Sequence, residues 1–385
     1  AIGGTNIEDA LKIAFSEKND LDRLHHVIFI TDGKPTIGET GEEKLIKEIE
    51  KINSNKLRIF TFGIGYDINT YLLDKITETT GAFRTYILPE EDIEIKISNF
   101  FMKVKSPVLT DIKLSFEGDV RVSKIYPNRL QDMFKGGSLN ILGIYEGTGE
   151  VRIILEGKTG KKSEKFSNNF FFSDEKTKEF YIPKLWATRR VGFLLDLIRL
   201  DGEEKEIVDE IVYLAKKYGI VTPYTSFLIV EDEINGGRDG RIRDDFRIFN
   251  QKEDNKLRDE SKKNYESMKK DKSGKNSVFA SRQFQNLNNA DNISEQKEEI
   301  YKEGLDIRSF QNKNIQNRTF YLNDKYWIDS AIYEKKNNNL KVKKIKFASN
   351  SYFELLNKKG DISRYLALGK NIRFLYQNEI YEIYE

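Results

Sequence analysis

The sequence predicts an α/β protein whose first region, residues 1–105, is part of a doubly wound parallel sheet. Apolar residues at helical spacing alternate there with short, continuous apolar runs. After Pro107 the apolar period changes to two, which is typical of antiparallel β structure. Repeated strand–helix units connect parallel strands, so the two regions are predicted to differ in topology.

The first predicted helix begins behind Thr5, and Glu8 is placed to complete a capping box with it. The next element is the apolar run over residues 27–31, which is typical of a strand buried on both faces. This strand ends at the dipeptide Asp32-Gly33. Thr5 and Asp32 therefore each lie at one end of a predicted element.

Helices and strands continue to alternate through the rest of the first region. They are a helix over residues 42–52, a strand over residues 57–62 that leads into Gly63-Ile64-Gly65, a helix through Leu72, Leu73 and Ile76, a strand over residues 83–86 and a helix over residues 92–103. A Gly-x-Gly pair without a third glycine is a poor dinucleotide fingerprint, so this segment predicts a tight turn before a helix capped by Asn69. No nucleotide cofactor is expected.

Residues 106–232 are predicted to form a β-rich hub with a helical pair. The strands are expected over residues 112–116, 120–122, 139–142 and 151–155. Pro183 introduces the first helix of the pair, and Gly219 is expected to cap the second. A strand over residues 226–230 is expected to close the unit.

Residues 233–300 are predicted to be a disordered, charged polar linker, because both charge signs are mixed with few apolar residues. Some transient helix is expected over residues 278–287. Apolar and aromatic residues return later, so residues 301–385 are predicted to form a small α+β module. Its last two strands, over residues 372–376 and 380–384, are expected to form a hairpin.

Composition excludes several classes of function. The 385 residues contain no cysteine, which removes disulfide scaffolds and thiolate chemistry, and the two histidines, His25 and His26, are adjacent. Lys and Arg number 64 against 62 Asp and Glu, so no nucleic-acid partner is expected. No apolar run approaches the ~20 residues that a membrane-spanning helix needs.

The chain begins Ala1-Ile2-Gly3-Gly4-Thr5, without an initiator methionine. We interpret it as an N-terminally truncated fragment of a longer protein. A signal peptide, an anchor and the first strands of the sheet are expected to belong to the missing part.

Three segments resemble a von Willebrand factor type A domain. They are residues 3–7 (Gly-Gly-Thr-Asn-Ile), residues 30–36 (Ile-Thr-Asp-Gly-Lys-Pro-Thr) and residues 62–69 (Phe-Gly-Ile-Gly-Tyr-Asp-Ile-Asn). Residues 106–111, 182–187 and 218–227 resemble segments that follow this domain in bacterial relatives of the inter-alpha-trypsin inhibitor heavy chains. The resemblance covers residues 1–232 and implies that residues 1–105 are the C-terminal part of the domain.

The resemblance also implies a metal-ion-dependent adhesion site that holds Mg²⁺ or another divalent cation. Thr5 matches the family's threonine ligand and Asp32 matches its aspartate. The family's Asp-x-Ser-x-Ser loop is absent from the 385 residues, so the site is expected to be incomplete here. Hydroxyl and carboxylate oxygens suit a hard cation, and an open coordination position can accept a partner's carboxylate.

Each of these residues also has a simpler interpretation. Thr5 could act only as a helix cap with Glu8, and Asp32 could only terminate a strand through an Asp-Gly turn. His25 and His26 are expected at the entrance of the strand that ends at Asp32, and are therefore interpreted as structural.

The preferred hypothesis is a non-catalytic, metal-ion-dependent binding or adhesion module outside the cytoplasm: periplasmic, on the cell surface or secreted. Its expected partner is a protein or extracellular-matrix-like ligand that presents a carboxylate. The alternatives are a metal-free structural or assembly scaffold of the cell envelope, and a hydrolase that uses a serine with His25 or His26. The absence of a Gly-x-Ser-x-Gly elbow disfavours the hydrolase.

Overall fold

The structure is a computed structural model of the chain. It describes residues 3–16, 25–53, 57–174, 179, 181–220, 225, 262–263, 265–291, 312–315, 318–323, 325–334, 340–358 and 362–385. The strand predicted over residues 226–230 lies outside the described residues. The chain divides into two compact units, the first made of residues 1–178 and 270–291, the second of residues 179–269 and 292–385.

The first unit begins with three parallel strands in the order β1-β2-β3, connected by helices. Its elements are α1 (Ile7–Ser16), β1 (His26–Thr31), α2 (Glu42–Ile52), β2 (Arg58–Ile64), α3 (Thr70–Thr80), β3 (Arg84–Ile87) and α4 (Ile93–Val104). This architecture confirms the predicted α/β fold class, with bounds that agree to within one or two residues. Asn69 and Gly81 cap the two ends of α3, and Gly81 has a positive φ of 67°.

Helices cover both faces of this sheet. Successive side chains of β2 point to opposite faces, so the strand presents apolar side chains to the helices on each face. Ile59 packs with α1, α2 and α3, whereas Phe60 and Phe62 pack with Phe100 of α4. The Phe100 ring meets both rings edge-on, at centroid distances of 5.1 and 4.9 Å. Among the described strands β1 lies at one edge of the sheet, where Ile28 and Ile30 are 43% and 46% exposed.

Antiparallel strands follow within residues 106–174, as the period of two predicts, although the strand expected over residues 139–142 lies instead at Leu142–Glu146. They are β4 (Pro107–Gly118), β5 (Arg121–Tyr126), β6 (Met133–Phe134), β7 (Leu142–Glu146), β8 (Gly149–Thr159) and β9 (Lys162–Phe172). One sheet has the order β6-β4-β8-β9, and β5 pairs with β7. Strand β9 is not predicted from the sequence. Nearly all its side chains are exposed, so its apolar pattern carries no period, and its pairing with β8 defines it.

Residues 270–291 depart from the sequence-based prediction. The predicted linker over residues 233–300 includes them, but the structure packs them into the first unit, where α7 (Lys275–Asn288) lies against α3 and β3. The transient helix expected over residues 278–287 is thus a packed helix. The apolar side chains of Val278, Phe284 and Leu287 are buried in this fold together with the polar Ser281, and this burial holds the helix in place.

The second unit contains the helical pair and a mixed sheet. Its elements are α5 (Tyr181–Asp201), α6 (Lys205–Tyr218), β10 (Asn312–Ile315), β11 (Arg318–Asn323), β12 (Tyr326–Asp329), α8 (Ala331–Glu334), β13 (Val342–Lys346), α9 (Asn350–Lys358), α10 (Ser363–Leu366), β14 (Ile372–Tyr376) and β15 (Glu379–Tyr384). The strand order is β10-β11-β12-β14-β15-β13. Gly219 caps α6 with a φ of 64°, as predicted.

The predicted hairpin is also confirmed in this unit. Strands β14 and β15 pair antiparallel, and Gln377 and Asn378 turn the chain between them with φ values of 48° and 65°. Two positive φ angles are typical of the two-residue turns that match the twist of a hairpin.

Candidate functional site

The candidate site lies where the parallel strands β1 and β2 end. Thr31, the last residue of β1, is in register with Gly63 near the end of β2, so the loops that follow both strands leave the same edge of the sheet. Ligands of open α/β sheets gather at this carboxyl edge. Asp32 is the first residue of the loop after β1.

Hydrogen bonds attach that loop to the segment before α1. The N–H groups of Thr36 and Ile37 donate to the carbonyl oxygen of Thr5, at 2.9 and 3.2 Å. In return the Thr5 N–H donates to the Thr36 hydroxyl at 2.7 Å. The structure therefore brings the Thr5 and Asp32 segments together, although 26 residues separate them in sequence.

This close approach depends on glycine at position 4. A Cβ atom added to Gly4 would lie 2.5 Å from Cγ1 of Ile37 and 2.6 Å from Oγ1 of Thr36, closer than real Cβ contacts. A Cβ atom added to Gly33 would lie 3.4 Å from Oγ1 of Thr5. The Thr5 hydroxyl is consequently in contact distance of the residue that follows Asp32.

Thr5 does not cap α1. The cap is Asn6, whose Oδ1 accepts a hydrogen bond from the Asp9 N–H at 3.1 Å, and whose amide donates to the Asp9 carboxylate at 2.7 Å. Glu8 instead pairs with Lys12 and accepts from the Glu39 N–H at 2.7 Å. The predicted capping box of Thr5 and Glu8 is wrong, because Asn6 is an equally good capping residue one position closer to the helix.

The pairing with Lys12 also affects the acidity of Glu8. Its hydrogen bond to the Lys12 ammonium, followed by the one from the Glu39 N–H, holds the pKa of Glu8 below its ordinary value. Both carboxylate oxygens of Glu8 are engaged, one by Lys12 and the other by the Glu39 N–H. It is not available as a further ligand at this edge.

The Asp32 carboxylate takes no part in the turn that follows β1. The Thr31 hydroxyl donates to the Gly33 carbonyl at 3.1 Å and accepts from the Gly33 N–H at 3.3 Å. The side-chain hydrogen bonds that stabilise this turn are therefore made by Thr31. Asp32 itself is exposed. Within the described ranges, neither the Thr5 hydroxyl nor the Asp32 carboxylate makes a hydrogen bond or an ion pair.

Charged residues of the neighbouring loops lie at the same edge. Lys34 pairs with Asp67, which follows β2, at 3.4 Å, and the Asp67 side chain is 91% exposed. No group of three or more His, Cys, Asp or Glu side chains with metal-binding geometry occurs among the residues the structure describes. Thr5 and Asp32 offer two hard oxygen donors, which suit a divalent cation. Two donors fill only part of the ion's coordination shell, so they do not form a complete site.

The histidines lie at the other end of β1. His26 begins the strand, and its ring packs edge-on against Phe60 and Phe134, with centroids 5.0 and 6.0 Å away. Burial lowers the pKa of His26 below its ordinary value. The packing of His26 among aromatic rings is consistent with a structural role, which stays a prediction.

Sequence reasoning missed two residues that position the candidate ligands, Gly4 and Thr36. Gly4 belongs to a segment quoted for the family resemblance, but its role appears only when the loop after β1 is placed above it. Thr36 also belongs to such a segment, residues 30–36, but no spacing in the sequence indicates that it contacts Thr5. Both act through a contact between segments more than thirty positions apart.

Comparison with known proteins finds similarity to one family model and to several relatives. A family model described as von Willebrand factor type A domain matches residues 1–83. The chain is 25% identical over 254 residues to human inter-alpha-trypsin inhibitor heavy chain H4, covering 60% of this chain and 27% of that protein. It is 26% identical over 259 residues to bovine heavy chain H3, covering 60% and 28%. The chain thus spans little more than a quarter of the length of these relatives.

Among solved structures, a von Willebrand factor type A protein from Catenulispora acidiphila is 15% identical, with a TM-score of 0.37, and the match covers 59% of this chain and 63% of that one. Across the part of the chain that the structure describes, no helix combines the length and the apolar character needed to cross a membrane.

Proposed function

We propose that this chain is a von Willebrand factor type A domain protein of the inter-alpha-trypsin inhibitor heavy chain-like type, and that it binds a partner through a divalent cation held at Thr5 and Asp32. Domains of this type generally mediate protein–protein interaction. The finer proposal adds the ion, Mg²⁺ or a similar divalent cation, and a partner that presents a carboxylate.

The observation that carries the proposal is that the two candidate ligands are brought close together without being used by the fold. Their segments are held together by hydrogen bonds through Thr36, yet neither the Thr5 hydroxyl nor the Asp32 carboxylate is used by the described residues. A hydroxyl and a carboxylate oxygen are ligands that Mg²⁺ prefers. The simpler interpretation of each residue, as helix cap or turn former, is met by Asn6 and Thr31 instead.

Two protein ligands leave most of the coordination shell to water. Because Mg²⁺ loses water reluctantly, the affinity of these two groups alone is expected to be low. The family's Asp-x-Ser-x-Ser loop, which the 385 residues lack, would add hydroxyl groups and another carboxylate. A bound cation supplies positive charge and an open coordination position, and a partner's carboxylate is the group that suits both.

A non-catalytic role outside the cytoplasm completes the proposal. The two histidines, which a serine hydrolase would need, belong to the opposite end of β1 from Asp32, and His26 is packed among aromatic rings. The similarity to the heavy chains supports placement in the periplasm, on the cell surface or in secretion.

Calorimetric titration with Mg²⁺ tests the proposal on a longer protein that carries an Asp-x-Ser-x-Ser loop before residue 1. We expect saturable binding that Asp32→Ala abolishes and Thr5→Val weakens. The matched control is Asp67→Ala, which removes an exposed carboxylate at the same edge of the sheet and should leave binding unchanged. Equal Mg²⁺ affinity in the Asp32→Ala protein would show that Asp32 does not hold the ion. No Mg²⁺ binding by the unsubstituted protein would favour the metal-free scaffold.

A further inference from the structure

Residues 270–291, here called the strap, are bound to a defined surface of the first unit. This surface, here called the docking face, consists of Thr70 and Asp74 of α3, Arg84 and Tyr86 of β3, and Glu91. The strap is separated from residue 178 by residues 179–269, which belong to the second unit, and residues 292–385 of that unit follow it. It is therefore connected on both sides to the second unit.

The centre of the contact is a buried carboxylate. Asp74 is fully buried and lies 2.8 Å from Nε of Arg84, and the Tyr86 hydroxyl donates to it at 2.5 Å. The Ser281 hydroxyl of the strap lies 2.8 Å from both oxygens of Asp74. Beside this contact Val278 packs with Ile68, Leu73 and Tyr86.

Hydrogen bonds attach the first residues of the strap to the start of α3. The Thr70 N–H donates to the Lys272 carbonyl at 2.9 Å, and the Gly274 N–H donates to the Tyr66 carbonyl at 3.0 Å. The hydroxyl groups of Thr70 and Ser277 lie 2.5 Å apart, with both residues fully buried. These bonds fix the point at which α7 begins.

The second half of α7 covers the edge of the parallel sheet. Gln285 donates to the carbonyl oxygen of Arg84 in β3 at 2.8 Å. Arg282 makes two hydrogen bonds to Glu91, at 3.2 and 3.3 Å. Strand β3 is the last strand of the sheet in the described residues, and the strap lies along its outer edge. Without the strap, this open edge could pair with a strand of another chain.

Part of the docking face is held by bonds that do not involve the strap. The ion pair between Asp74 and Arg84, and the hydrogen bond from Tyr86, involve only residues 70–86, which lie on α3 and β3. Ser281 adds to a polar cluster whose charges are already balanced. The strap therefore binds this part of the docking face as a tethered ligand would, much as a helix binds in a groove.

We propose that the docking face can bind the strap of a second copy of this chain in place of its own strap, so that two copies join by exchanging straps. Exchange forms the same contacts between chains that exist within one chain, and therefore costs little apart from the entropy of association. At low concentration the tether favours the chain's own strap through its high effective concentration. The proposal is independent of the metal at Thr5 and Asp32.

The test begins with a variant whose own strap is released. Ser281→Asp places a second carboxylate against buried Asp74, and like charges at this distance repel. A fluorescent peptide with the native sequence of residues 270–291 is then titrated into the full chain. We expect saturable binding to Ser281→Asp, at least about tenfold weaker binding to wild type because its own strap competes, and none of a peptide that itself carries Ser281→Asp.

Two controls keep the outcome decisive. Ser163→Asp makes the same chemical change at an exposed position of β9 and should behave as wild type. If Ser281→Asp fails to give a native circular dichroism spectrum, Arg282→Glu, which opposes Glu91, is used in its place. A folded strap variant that does not bind the native peptide would overturn the proposal.

A second experiment examines whole chains. The Ser281→Asp chain is mixed with a chain whose docking face is blocked by Thr70→Arg and Glu91→Lys, so that one partner offers a face and the other a strap. Light scattering after size exclusion should show a complex of two chains in the mixture and monomers of each chain alone. Monomers only, in a mixture of folded chains, would contradict exchange between copies.

Discussion

Asp74 and Asp32 are two aspartates of the same unit in opposite situations. Asp74 is fully buried on the docking face and is held by Arg84, Tyr86 and Ser281. Asp32 is exposed at the carboxyl edge of the sheet and makes no hydrogen bond or ion pair with the described residues. One carboxylate is committed to the fold, whereas the other is available to a ligand.

This contrast in burial and partners indicates which of the two carboxylates the fold requires. A buried charge is tolerated only when partners compensate it, so its partners have to be retained. An exposed charge without partners contributes little to stability, so a strict requirement for it at position 32 would have to come from binding. Variants of the two aspartates should therefore separate stability from function.

The largest effect is expected at Asp74. Asp74→Ala leaves the Arg84 guanidinium, a side chain only 10% exposed, without its carboxylate, and should cost about 3–5 kcal/mol of unfolding free energy. Asp32→Ala should change stability by less than about 0.5 kcal/mol. Chemical denaturation of both variants measures the contrast. Equal losses would show that the two carboxylates do not differ in the way described.

A smaller effect is expected where the loop after β1 meets Gly4. Gly4→Val places new atoms into the side chains of Thr36 and Ile37, and should destabilise this contact by about 1–3 kcal/mol. Gly3→Val is the matched control, because a Cβ atom added to Gly3 meets nothing within 4 Å. Amide hydrogen exchange at Thr36 and Ile37 should increase in the first variant alone. Unchanged protection in Gly4→Val would show that the loop does not rest on residue 4.

The smallest expected effect is a dependence of strap docking on pH. Burial alone would raise the pKa of Glu91, but the hydrogen bond from the Leu88 N–H and the charges of Lys96 and Arg282 outweigh it, so this pKa lies below its ordinary value of 4.5. A carboxyl group with a lowered pKa stabilises the folded state above its ordinary pKa, and this contribution disappears as pH falls through the folded-state value.

Hydrogen exchange of α7 should therefore become faster, after correction for the intrinsic pH dependence, as pH falls from 4.5 through the pKa of Glu91. Glu91→Gln should remove this part of the pH dependence, because the amide cannot ionise. The same acid response in Glu91→Gln as in wild type would assign it to other groups.

The parallel sheet could be predicted from the sequence because each of its elements has its own period. The run over residues 27–31 and the helical spacing over residues 42–52 are local signals, and their bounds agree with β1 and α2 to within about one residue. Strand β9 has no such signal, since most of its side chains are exposed on either face. Only its pairing with β8 makes it a strand.

The strap was the largest departure from prediction because its burial depends on distant residues. Ser277 and Ser281 are polar in sequence, and the partners that compensate their burial, Thr70 and Asp74, lie 207 positions away. The candidate ligands Thr5 and Asp32 were found through family resemblance, and their role in binding a metal stays a prediction. The proximity of their segments required the structure.

The most direct test of the central claim, that Thr5 and Asp32 hold a divalent cation, is paramagnetic broadening of backbone amide signals by Mn²⁺. Mn²⁺ prefers the same oxygen ligands as Mg²⁺, and its broadening is detected even when binding is weak. Added to this chain, Mn²⁺ should broaden the signals of residues 4–6, 31–34, 36 and 37 before others, and Asp32→Ala should abolish this selectivity while Asp67→Ala preserves it. Broadening that is uniform over the surface, or that persists around residue 32 in Asp32→Ala, would contradict the claim.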